Sequence, residues 1–532
     1  MKKLPFGIQS FRKVIEGGYV YVDKTQYVYD LLCGESYYFL SRPRRFGKSL
    51  LLDTIAEAFS GDKGLFKGLH LYDSGYEFLK HPVIRFDMSN MSNDTPEILM
   101  GELVIELNKR AREEGLDIGF TTPSAAFKTL IEELYRKHNK PVVVLIDEYD
   151  KPILDHISDI ELAEANRKAL RGFYGVLKSM DPFLRLTFIT GITKFTKTSV
   201  FSGLNNLRDL TLSRKYANIC GIPTDELGQY FSEHIGHLKT LEGFNRYDSV
   251  YDEILSWYDG YSWDGRTRVI NPFSLLGFLT EERFANFWYA SGTPKFLLDL
   301  IKQRPNGYTN LKNFEMGEWT LDTFDIHKLE IEPLLFQTGY LTVKEVLPDQ
   351  APAVYLLDMP NNEVRLAFNL HILAEFTESG AAFAETAYRR IKENLRTGDL
   401  VSMMETLKAL FSSIPYQLHI KHEHYYHSIF FAILNLLGFD IDPEVSVSGG
   451  RIDAVLENHD KVYIMEFKYF KCEPDASPEE KRKLFDKSLE EGMQQIKDRG
   501  YCAKYAGSGK NIYQVALVFL GRDDIDIRVE MV

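Results

Sequence analysis

The chain has 532 residues, too many for one hydrophobic core, so we expect roughly two to four domains. Its 44% hydrophobic and 26% charged residues are ordinary for a globular protein and exclude a fibrous or wholly disordered chain. The formal net charge of -13 excludes a protein that coats nucleic acid through overall positive charge, so any such contact needs a local basic patch.

The cysteines and the apolar segments indicate the cellular compartment of the protein. The apolar run Ile429–Leu437 is too short to span a bilayer and contains Asn435. Met1–Pro5 leads into no hydrophobic signal sequence. The sequence has no Cys-x-x-Cys pair, so we expect reduced thiols in a cytoplasmic protein with no membrane span. The cysteines are Cys33, Cys220, Cys472 and Cys502.

The first motif, Tyr21–Thr25, precedes the first predicted core strand. Asp23 or Thr25 could cap the helix that follows, because short oxygen-bearing side chains accept hydrogen bonds from the first helical N–H groups. Contact with a nucleotide is the alternative interpretation, and it is the less favoured one.

The stretch Tyr38–Leu52 predicts a strand, a basic loop and a helix, the arrangement of a phosphate-binding loop. Lys48 would bind the β- and γ-phosphates of ATP, Ser49 would hold Mg²⁺, and Gly47 would let the backbone approach a phosphate. The general motif has glycine where this chain has Arg42, so a chance Gly-Lys-Ser is the competing interpretation. The residues expected at the nucleotide here are Arg45, Phe46, Gly47, Lys48, Ser49 and Leu50.

A second stretch, Lys140–Asp150, predicts a buried parallel strand that ends in two carboxylates. Asp147 would bind Mg²⁺, directly or through water, and Glu148 would polarise the water that attacks ATP. A core strand with a solvated acidic end is the competing interpretation. Because Lys48 and Ser49 lie upstream, we favour the ATPase interpretation.

A third predicted strand, Leu184–Thr193, ends in hydroxyl side chains. In ATPases of this type a polar residue at such a strand end senses the γ-phosphate. Thr190 and Thr193 are the candidates, and an ordinary turn is an equal alternative for either one. Of the two threonines, Thr190 is the one that we expect at the nucleotide.

These motifs resemble those of the bacterial AAA-ATPase-like proteins that carry a C-terminal PD-(D/E)XK nuclease-like domain. The resemblance rests on the loop Arg42–Ser49 and on three further segments, Tyr21–Thr25, Thr190–Lys194 and Asn271–Ser274. In this family the first loop position is usually not glycine, so Arg42 fits the resemblance. The likeness covers most of the chain.

Alternating strand-like and helix-like runs over residues 1–220 predict an α/β fold with a parallel sheet, the P-loop ATPase domain. We predict a small helical lid over 221–300, which the resemblance implies is winged-helix-like. A linker region with strands and helices over 301–410 precedes a nuclease-like α/β domain over 411–532. We also expect a helix over Pro96–Glu114 capped by Thr95. Further predictions are a helix with a polar cap from Pro223, strands at Leu334–Val343 and Ala353–Leu357, and helix over residues 381–411.

Two strands, Gly449–Val455 and Lys461–Lys468, carry a second set of chemically active side chains. Period-two alternation puts Glu466 and Lys468 on one face. Asp453 and Glu466 would hold Mg²⁺, and Lys468 would orient or help deprotonate the attacking water. This resembles the D-(x)n-E-x-K pattern of PD-(D/E)XK nucleases, and a solvated strand face is the competing interpretation.

Neighbouring segments bear on that second site. A helix is predicted before it over His424–Leu437, and Glu423 is a candidate supporting Mg²⁺ ligand, although a polar helix start is the favoured interpretation. The spacing within His422–His427 fits no common zinc site. By the resemblance, a Gln and a Tyr recur after the second strand, and the matching residues here are Gln494, Gln495 and Tyr501.

The favoured function is an ATP-hydrolysing protein whose nucleotide state controls a Mg²⁺-dependent nuclease acting on nucleic acid, in the first place DNA. One alternative is an ATP-dependent switch or scaffold with a binding-only nuclease-like domain, and another is a sensor ATPase of cell defence that assembles on a trigger. The presence of Asp453, Glu466 and Lys468 together favours the nuclease. In a homo-oligomer Arg208 or Arg214 could reach a neighbouring nucleotide, and a solvated surface arginine is the competing interpretation of each.

Overall fold

The computed structural model divides the chain into two compact units. The first consists of Met1–Leu297 and Asn310–Val364, and the second of Leu298–Thr309 and Arg365–Val532. The structure describes residues 1–119, 122–194, 201, 204, 206–288, 314–321, 326, 330–347, 352–376, 380–412, 445–447, 450–452, 454–457, 460–470, 477–520 and 524–532.

A five-stranded parallel sheet forms the centre of the first unit. Its strands are β1 Tyr37–Ser41, β2 Val83–Asp87, β3 Val142–Asp147, β4 Leu184–Gly191 and β5 Arg208–Asp209. Strands β1 and β3 are buried along their whole length, as expected of parallel strands covered on both faces. The predicted α/β class is therefore confirmed.

Helices connect and cover these strands. They are α1 Phe11–Glu16, α2 Thr25–Cys33, α3 Lys48–Ala58, α4 His70–Asp73, α5 Pro96–Glu113, α6 Pro123–His138, α7 Lys151–Leu154, α8 Ile160–Tyr174 and α9 Val176–Ser179. The prediction for α5 is confirmed, because the side chain of Thr95 accepts a hydrogen bond from the N–H of Ile98 and Pro96 opens the helix.

The strand order is β2-β3-β4-β1-β5, so β4 lies between β1 and β3. In the register Gly191 of β4 pairs with Ser41 of β1, and Ile189 of β4 pairs with Ile146 of β3. All three strands run in the same direction. Their carboxyl ends therefore meet at one edge of the sheet, which is where ligands bind in parallel α/β folds.

Further elements of the first unit follow the sheet. They are β6 Ile222–Pro223, α10 Thr224–Leu238, α11 Val250–Tyr258, β7 Val269–Ile270, α12 Pro272–Glu281, β8 Phe314–Gly317, α13 Glu318–Leu321, α14 Ile331–Thr338, β9 Thr342–Leu347 and β10 Val354–Asp358. β6 pairs with β7, while β8, β10 and β9 form an antiparallel sheet. Helices α10, α11 and α12 share a hydrophobic core rich in aromatic residues. The winged-helix-like lid stays a prediction.

Two local predictions in this region are wrong. Helix α10 begins as expected, but Pro223 occupies its N-cap and no side chain caps the helix. The predicted strand Leu334–Val343 is a helix, α14, up to Thr338, and β9 begins only at Thr342. Gly339 ends the helix with φ +93°, a left-handed C-cap that short apolar runs do not reveal.

Helix α15, Asn362–Phe376, begins in the first unit and continues in the second. The second unit also contains helices α16 Gly380–Thr397, α17 Leu400–Ser412 and α18 Pro478–Asp498. The predicted helical region over 381–411 is confirmed, with a break at Gly398 and Asp399. Its strands are β11 Val445–Val447, β12 Gly450–Ile452, β13 Ala454–Glu457, β14 Lys461–Phe470, β15 Asn511–Leu520 and β16 Asp524–Met531.

The sheet of the second unit has the order β13-β14-β15-β16. Alternate residues of β14 face opposite sides: Val462 and Ile464 pack in a core with α18, whereas Tyr463 and Met465 pack in a core with α16 and α17. The sheet is thus covered by helices on both faces. Across the described parts of both units, no helix is long and apolar enough to cross a membrane.

Candidate nucleotide site and candidate nuclease site

The loop between β1 and α3 is folded around the side chain of Lys48. The ammonium donates hydrogen bonds to the carbonyl oxygens of Arg42, at 2.9 Å, and Pro43, at 3.0 Å, and the residue is 5% exposed. Gly47 has φ +91° and precedes the first turn of α3. The unpaired N–H groups of that turn and the helix dipole favour an anion at this position.

Arg42, which replaces the first glycine of the general motif, is a structural part of the loop. It is fully buried, and its guanidinium lies 3.9 Å from the centre of the Trp263 ring. It donates to the carbonyl oxygens of Ser41 and Thr211, each at 2.9 Å. Burial lowers the pKa of Arg42 to about 10, so the group is still charged at neutral pH.

The next loop residues pack against aromatic rings. The exposed Arg45 places its guanidinium 4.5 Å from the centre of the Phe273 ring, and Phe46 is buried with ring centroids 4.8 Å from Tyr261 and 5.4 Å from Trp263. The Arg45 backbone has φ +70°, a left-handed conformation that is energetically unfavourable for a residue other than glycine. These contacts with aromatic rings support the conformation of the loop.

Asp147 and Thr190 meet at the adjacent ends of β3 and β4. The hydroxyl of Thr190 donates to Oδ1 of Asp147 at 2.6 Å, and the N–H of Glu148 donates to the same oxygen at 3.1 Å. Both side chains are buried. Two donors therefore fix the orientation of the Asp147 carboxylate at the sheet edge.

Glu148 lies within electrostatic reach of Lys48. Burial raises the pKa of Glu148, the positive charge of Lys48 opposes this shift, and the negative charges of Asp147 and Asp150 add to it. A carboxylate with a raised pKa is a better proton acceptor once it is ionised. The structure thus brings Lys48, Asp147, Glu148 and Thr190 into one region.

Thr193, the alternative sensor candidate, contacts a different carboxylate. Its N–H and hydroxyl donate to Oδ2 of Asp150 at 2.6 and 2.7 Å, and the N–H of Ile192 donates to the same oxygen at 2.9 Å. Asp150 is fully buried, which raises its pKa. Asp150 was not expected as a site residue, although it is the third acid in the segment Asp147–Asp150.

An apolar cavity of about 100 Å³ lies beside Gly47 and Leu50 and was not anticipated from the sequence. Tyr21, Val22 and Lys24 of the first motif form part of its wall. The ammonium of Lys24 pairs with Glu226 at 2.5 Å. The other lining residues are Pro5, Val20, Phe46, Leu51, Ile219, Cys220, Gly221, Ile222, Phe231, Pro272 and Leu276.

The first motif therefore has two structural roles. Oδ1 of Asp23 accepts hydrogen bonds from the N–H of Thr25, at 2.8 Å, and from its hydroxyl, at 2.6 Å, at the start of α2. Lys24 occupies the N-cap of α2 and no side chain makes a capping hydrogen bond, so the predicted capping by Asp23 or Thr25 is wrong. The neighbouring residues Tyr21, Val22 and Lys24 border the cavity.

The candidate nuclease site lies on the face of β14 that α18 covers. Glu466 is 2% exposed, and Nζ of Lys468 lies 3.8 Å from its Oε1. The side-chain amide of Gln495 joins the two, because its nitrogen donates to Oε1 of Glu466 and its oxygen accepts from Lys468 at 2.7 Å. The predicted same-face arrangement of Glu466 and Lys468 is confirmed.

Of the other predicted residues near this site, Gln494 and Tyr501 make contacts elsewhere. Gln494 donates to Asp498 at 2.6 Å, and the buried hydroxyl of Tyr501 accepts from Arg499 at 2.7 Å. Gln495 is the glutamine at the site. The sequence Gln494-Gln495 did not show which glutamine lies at the site. The structure shows it, because neighbouring residues of helix α18 point in different directions.

Asp453 lies outside the described residues, as do Glu423, the histidines of His422–His427 and the predicted helix His424–Leu437. Strand β13 begins at Ala454, which pairs with Met465, the residue before Glu466. Within the described ranges, no group of three or more His, Cys, Asp and Glu side chains is arranged to hold a metal ion. The described part of this site contributes one carboxylate.

Arg208 is committed to an intramolecular ion pair. Its guanidinium contacts both carboxylate oxygens of Glu35, at 2.6 and 2.7 Å, on the edge strand β5. Arg214 begins a short 3₁₀ turn, Arg214–Tyr216. The identity of an arginine for a neighbouring nucleotide stays a prediction.

Known proteins match this chain in both regions. A family model described as predicted AAA-ATPase matches residues 5–201, and one described as the PD-(D/E)XK nuclease superfamily matches residues 421–528. An uncharacterized protein in the vnfD 5' region of Azotobacter chroococcum mcd 1 is 35% identical over 525 residues. That match covers 97% of this chain and 96% of the Azotobacter protein.

Two solved structures give weaker likenesses. A Drosophila ORC structure with poly(dA/dT) DNA and Cdc6 is 14% identical, with a TM-score of 0.22, covering 56% of this chain and 44% of that chain. The ORC2 protein of Aeropyrum pernix is 12% identical, with a TM-score of 0.25, covering 68% of this chain and 98% of that chain. Likenesses at these scores carry no argument about function.

Proposed function

The chain belongs to the family of AAA-ATPase-like proteins that carry a C-terminal domain of the PD-(D/E)XK nuclease superfamily, and on that premise we propose an ATP-controlled nuclease. It binds and hydrolyses ATP through the first unit. Its nucleotide state controls the second unit, which cleaves nucleic acid in a Mg²⁺-dependent reaction. DNA is the favoured substrate. We place the protein in the cytoplasm, on the basis of its scattered, free cysteines, among them Cys33, Cys220 and Cys502.

The observation that carries the proposal is the meeting of Lys48, Glu148 and the Asp147–Thr190 pair at the carboxyl ends of adjacent strands. Lys48 would exchange its two carbonyl partners for phosphate oxygens, and its charge would stabilise the transferred phosphoryl group. The apolar cavity beside Gly47 and Leu50 offers the base and sugar a place removed from water.

The oxygen donors at the start of α3 and at the end of β3 fit Mg²⁺. Ser49 and Asp147 supply a hydroxyl and a carboxylate, the oxygen donors that this ion prefers, and Thr190 holds the carboxylate in place. When bound, Mg²⁺ supplies positive charge to the phosphates. Glu148 accepts a proton from the attacking water, and its raised pKa suits that role.

In the second unit Glu466, together with Asp453, would hold Mg²⁺, whose charge stabilises the scissile phosphate when bound. Lys468 orients the attacking water and stabilises the charge that develops on it. Gln495 contacts both Glu466 and Lys468, so it positions them relative to each other. The residues fit a PD-(D/E)XK site in which the sheet supplies the acid and the covering helix supplies a support.

The test is a screen of the purified full chain for ATP hydrolysis and for cleavage of single- and double-stranded DNA and RNA. Each substrate is incubated with Mg²⁺ or Mn²⁺, with and without ATP. We expect ATP hydrolysis and metal-dependent cleavage of at least one substrate. No cleavage under any condition would favour the binding-only switch, and a mass that rises on ATP binding, measured by light scattering, would favour an assembling sensor.

A further inference from the structure

Glu363, in the first turn of α15, is a fully buried carboxylate outside the motifs considered so far. Its Oε2 accepts a hydrogen bond from the hydroxyl of Ser274 at 2.7 Å, and its Oε1 accepts one from the N–H of Trp288 at 2.9 Å. Burial raises the pKa of Glu363 to about 7, and both hydrogen bonds oppose that rise. Burying a carboxylate costs free energy of folding unless hydrogen bonds compensate it, so the partners of Glu363 indicate what the residue does.

Both partners of Glu363 belong to segments that touch the phosphate loop. Ser274 follows Phe273, whose ring lies against the guanidinium of Arg45. The indole N–H of Trp288 donates to the carbonyl oxygen of Arg44 at 3.2 Å. Glu363 is therefore connected to Arg44 through Trp288. Its connection to Arg45 runs through Ser274 and the adjacent Phe273.

A third contact completes this support. A side chain at Gly339 would lie 2.8 Å from Cβ of Pro43 and 3.3 Å from the ring of Trp288, so the chain at Gly339 packs closely against the loop. Three consecutive loop residues, Pro43–Arg45, thus rest on Gly339, Trp288 and Phe273 in turn. Such support is needed because Arg45 holds a left-handed backbone conformation without being glycine.

We propose that Glu363 is a positioning residue for ATP binding: by fixing Ser274 and Trp288, it holds Arg44 and Arg45 of the phosphate loop in the conformation that receives the phosphates. This inference rests on the proposed ATPase function. It also gives Asn271–Ser274 a role, because Asn271 caps α12 through Phe273 and Ser274, the two residues that reach the loop and Glu363.

Three variants test the two routes to the loop. Trp288→Phe keeps an aromatic ring and the backbone N–H but removes the indole donor to Arg44. Ser274→Ala removes the hydroxyl donor to Glu363. Glu363→Gln keeps the shape of the side chain but places an amide where two donors meet a carboxylate. Glu253→Gln is the matched control, since Glu253 also accepts from a tryptophan, Trp257, at 3.0 Å, on α11.

We expect Glu363→Gln to raise the KM for MgATP about tenfold, and Trp288→Phe and Ser274→Ala to raise it about threefold, in the steady-state ATPase assay. The kcat of each variant should stay within about twofold of wild type, because Lys48, Asp147 and Glu148 are intact. Thermal unfolding of each variant is measured alongside. Glu253→Gln should leave KM unchanged.

A wild-type KM in folded Trp288→Phe and Ser274→Ala would overturn the inference even if Glu363→Gln failed to fold. Equal losses of kcat and folded fraction, with no change in KM, would also overturn it and assign Glu363 to the core alone. Failure of the proposed function gives a different result: wild-type protein and its Lys48→Ala variant would both lack ATP hydrolysis.

Discussion

The proposed nucleotide site of the first unit and the proposed Glu466 site of the second unit assemble their side chains in different ways. Asp147 and Thr190 come from the ends of two neighbouring strands, and Lys48 opens the helix that follows the loop after a third. Glu466 and Lys468 lie two residues apart on one strand, and a helix supplies Gln495. The first site depends on strand order, and the second depends mainly on the alternation of side chains along β14.

This difference explains what can go wrong at each site. A change in the packing behind the phosphate loop alters the nucleotide site without touching a ligand, since the loop rests on Gly339, Trp288 and Phe273. The Glu466 site has a local framework and should respond mainly to changes in its own side chains. If the two sites are separate in this way, variants of the Glu466 site should leave ATP hydrolysis intact, and variants of the nucleotide site should change only the response of cleavage to ATP.

The largest expected effect is that of Lys48→Ala on ATP hydrolysis. Loss of the ammonium removes a charge from the phosphates, and turnover should fall by at least about 100-fold. Steady-state phosphate release measures it. The exposed Lys67→Ala serves as the control and should retain wild-type turnover. Unchanged turnover in Lys48→Ala would remove Lys48 from the site.

The corresponding change in the second unit is Glu466→Ala. Metal-dependent cleavage should fall below detection, because a buried carboxylate at the site of the metal is lost, while ATP hydrolysis stays at the wild-type rate. Both activities are assayed on one preparation. The exposed Glu491→Ala on α18 is the control. Equal loss of both activities would indicate a structural role for Glu466.

The nucleotide site should also show a pH dependence of its own. Burial raises the pKa of Glu148, so the ionised base forms at a higher pH than for an ordinary glutamate. The kcat for ATP hydrolysis should therefore be low below that pKa and rise as the pH increases through it. Glu148→Gln should bind ATP but hydrolyse it at least about 100-fold more slowly, with no such rise.

The exposed Glu161→Gln, on α8, controls for the loss of a carboxylate in the first unit. It should keep the pH profile of the wild type. A profile for Glu148→Gln that matches wild type would exclude Glu148 as the proton acceptor.

A smaller effect is expected where a supporting residue is removed from the second site. Gln495→Ala should slow cleavage about tenfold, because Glu466 and Lys468 lose the amide that joins them. Gln494→Ala is a matched control one residue away, since Gln494 contacts Asp498 instead. Similar rates for the two variants would show that Gln495 has no positioning role.

The two sites also differ in how much of their arrangement could be predicted from the sequence. The strand ends at Asp147 and Thr190 were predictable, because buried apolar runs followed by polar residues mark parallel strands. From the sequence, Thr190 and Thr193 were both sensor candidates, and Thr190 was the one expected at the nucleotide. The fold gives the two threonines different partners, because it brings Thr190 to Asp147 and Thr193 to Asp150.

The packing behind the phosphate loop was out of reach of sequence patterns. Glu363 and Trp288 are more than 200 residues from the loop, and their contacts with Ser274 and Arg44 arise only in the folded chain. By contrast, the same-face position of Glu466 and Lys468 follows from the period of a strand, and the structure confirms it. Local periodicity is readable from sequence, whereas long-range contacts are not.

The most direct test of the central claim is the rate of DNA cleavage by the full chain in Mg²⁺, measured with and without ATP for wild type and Lys48→Ala. We predict that ATP changes the wild-type rate several-fold, and that Lys48→Ala gives one rate in both conditions because its nucleotide site no longer responds. Cleavage by the wild-type protein at the same rate with and without ATP would contradict nucleotide control of the nuclease.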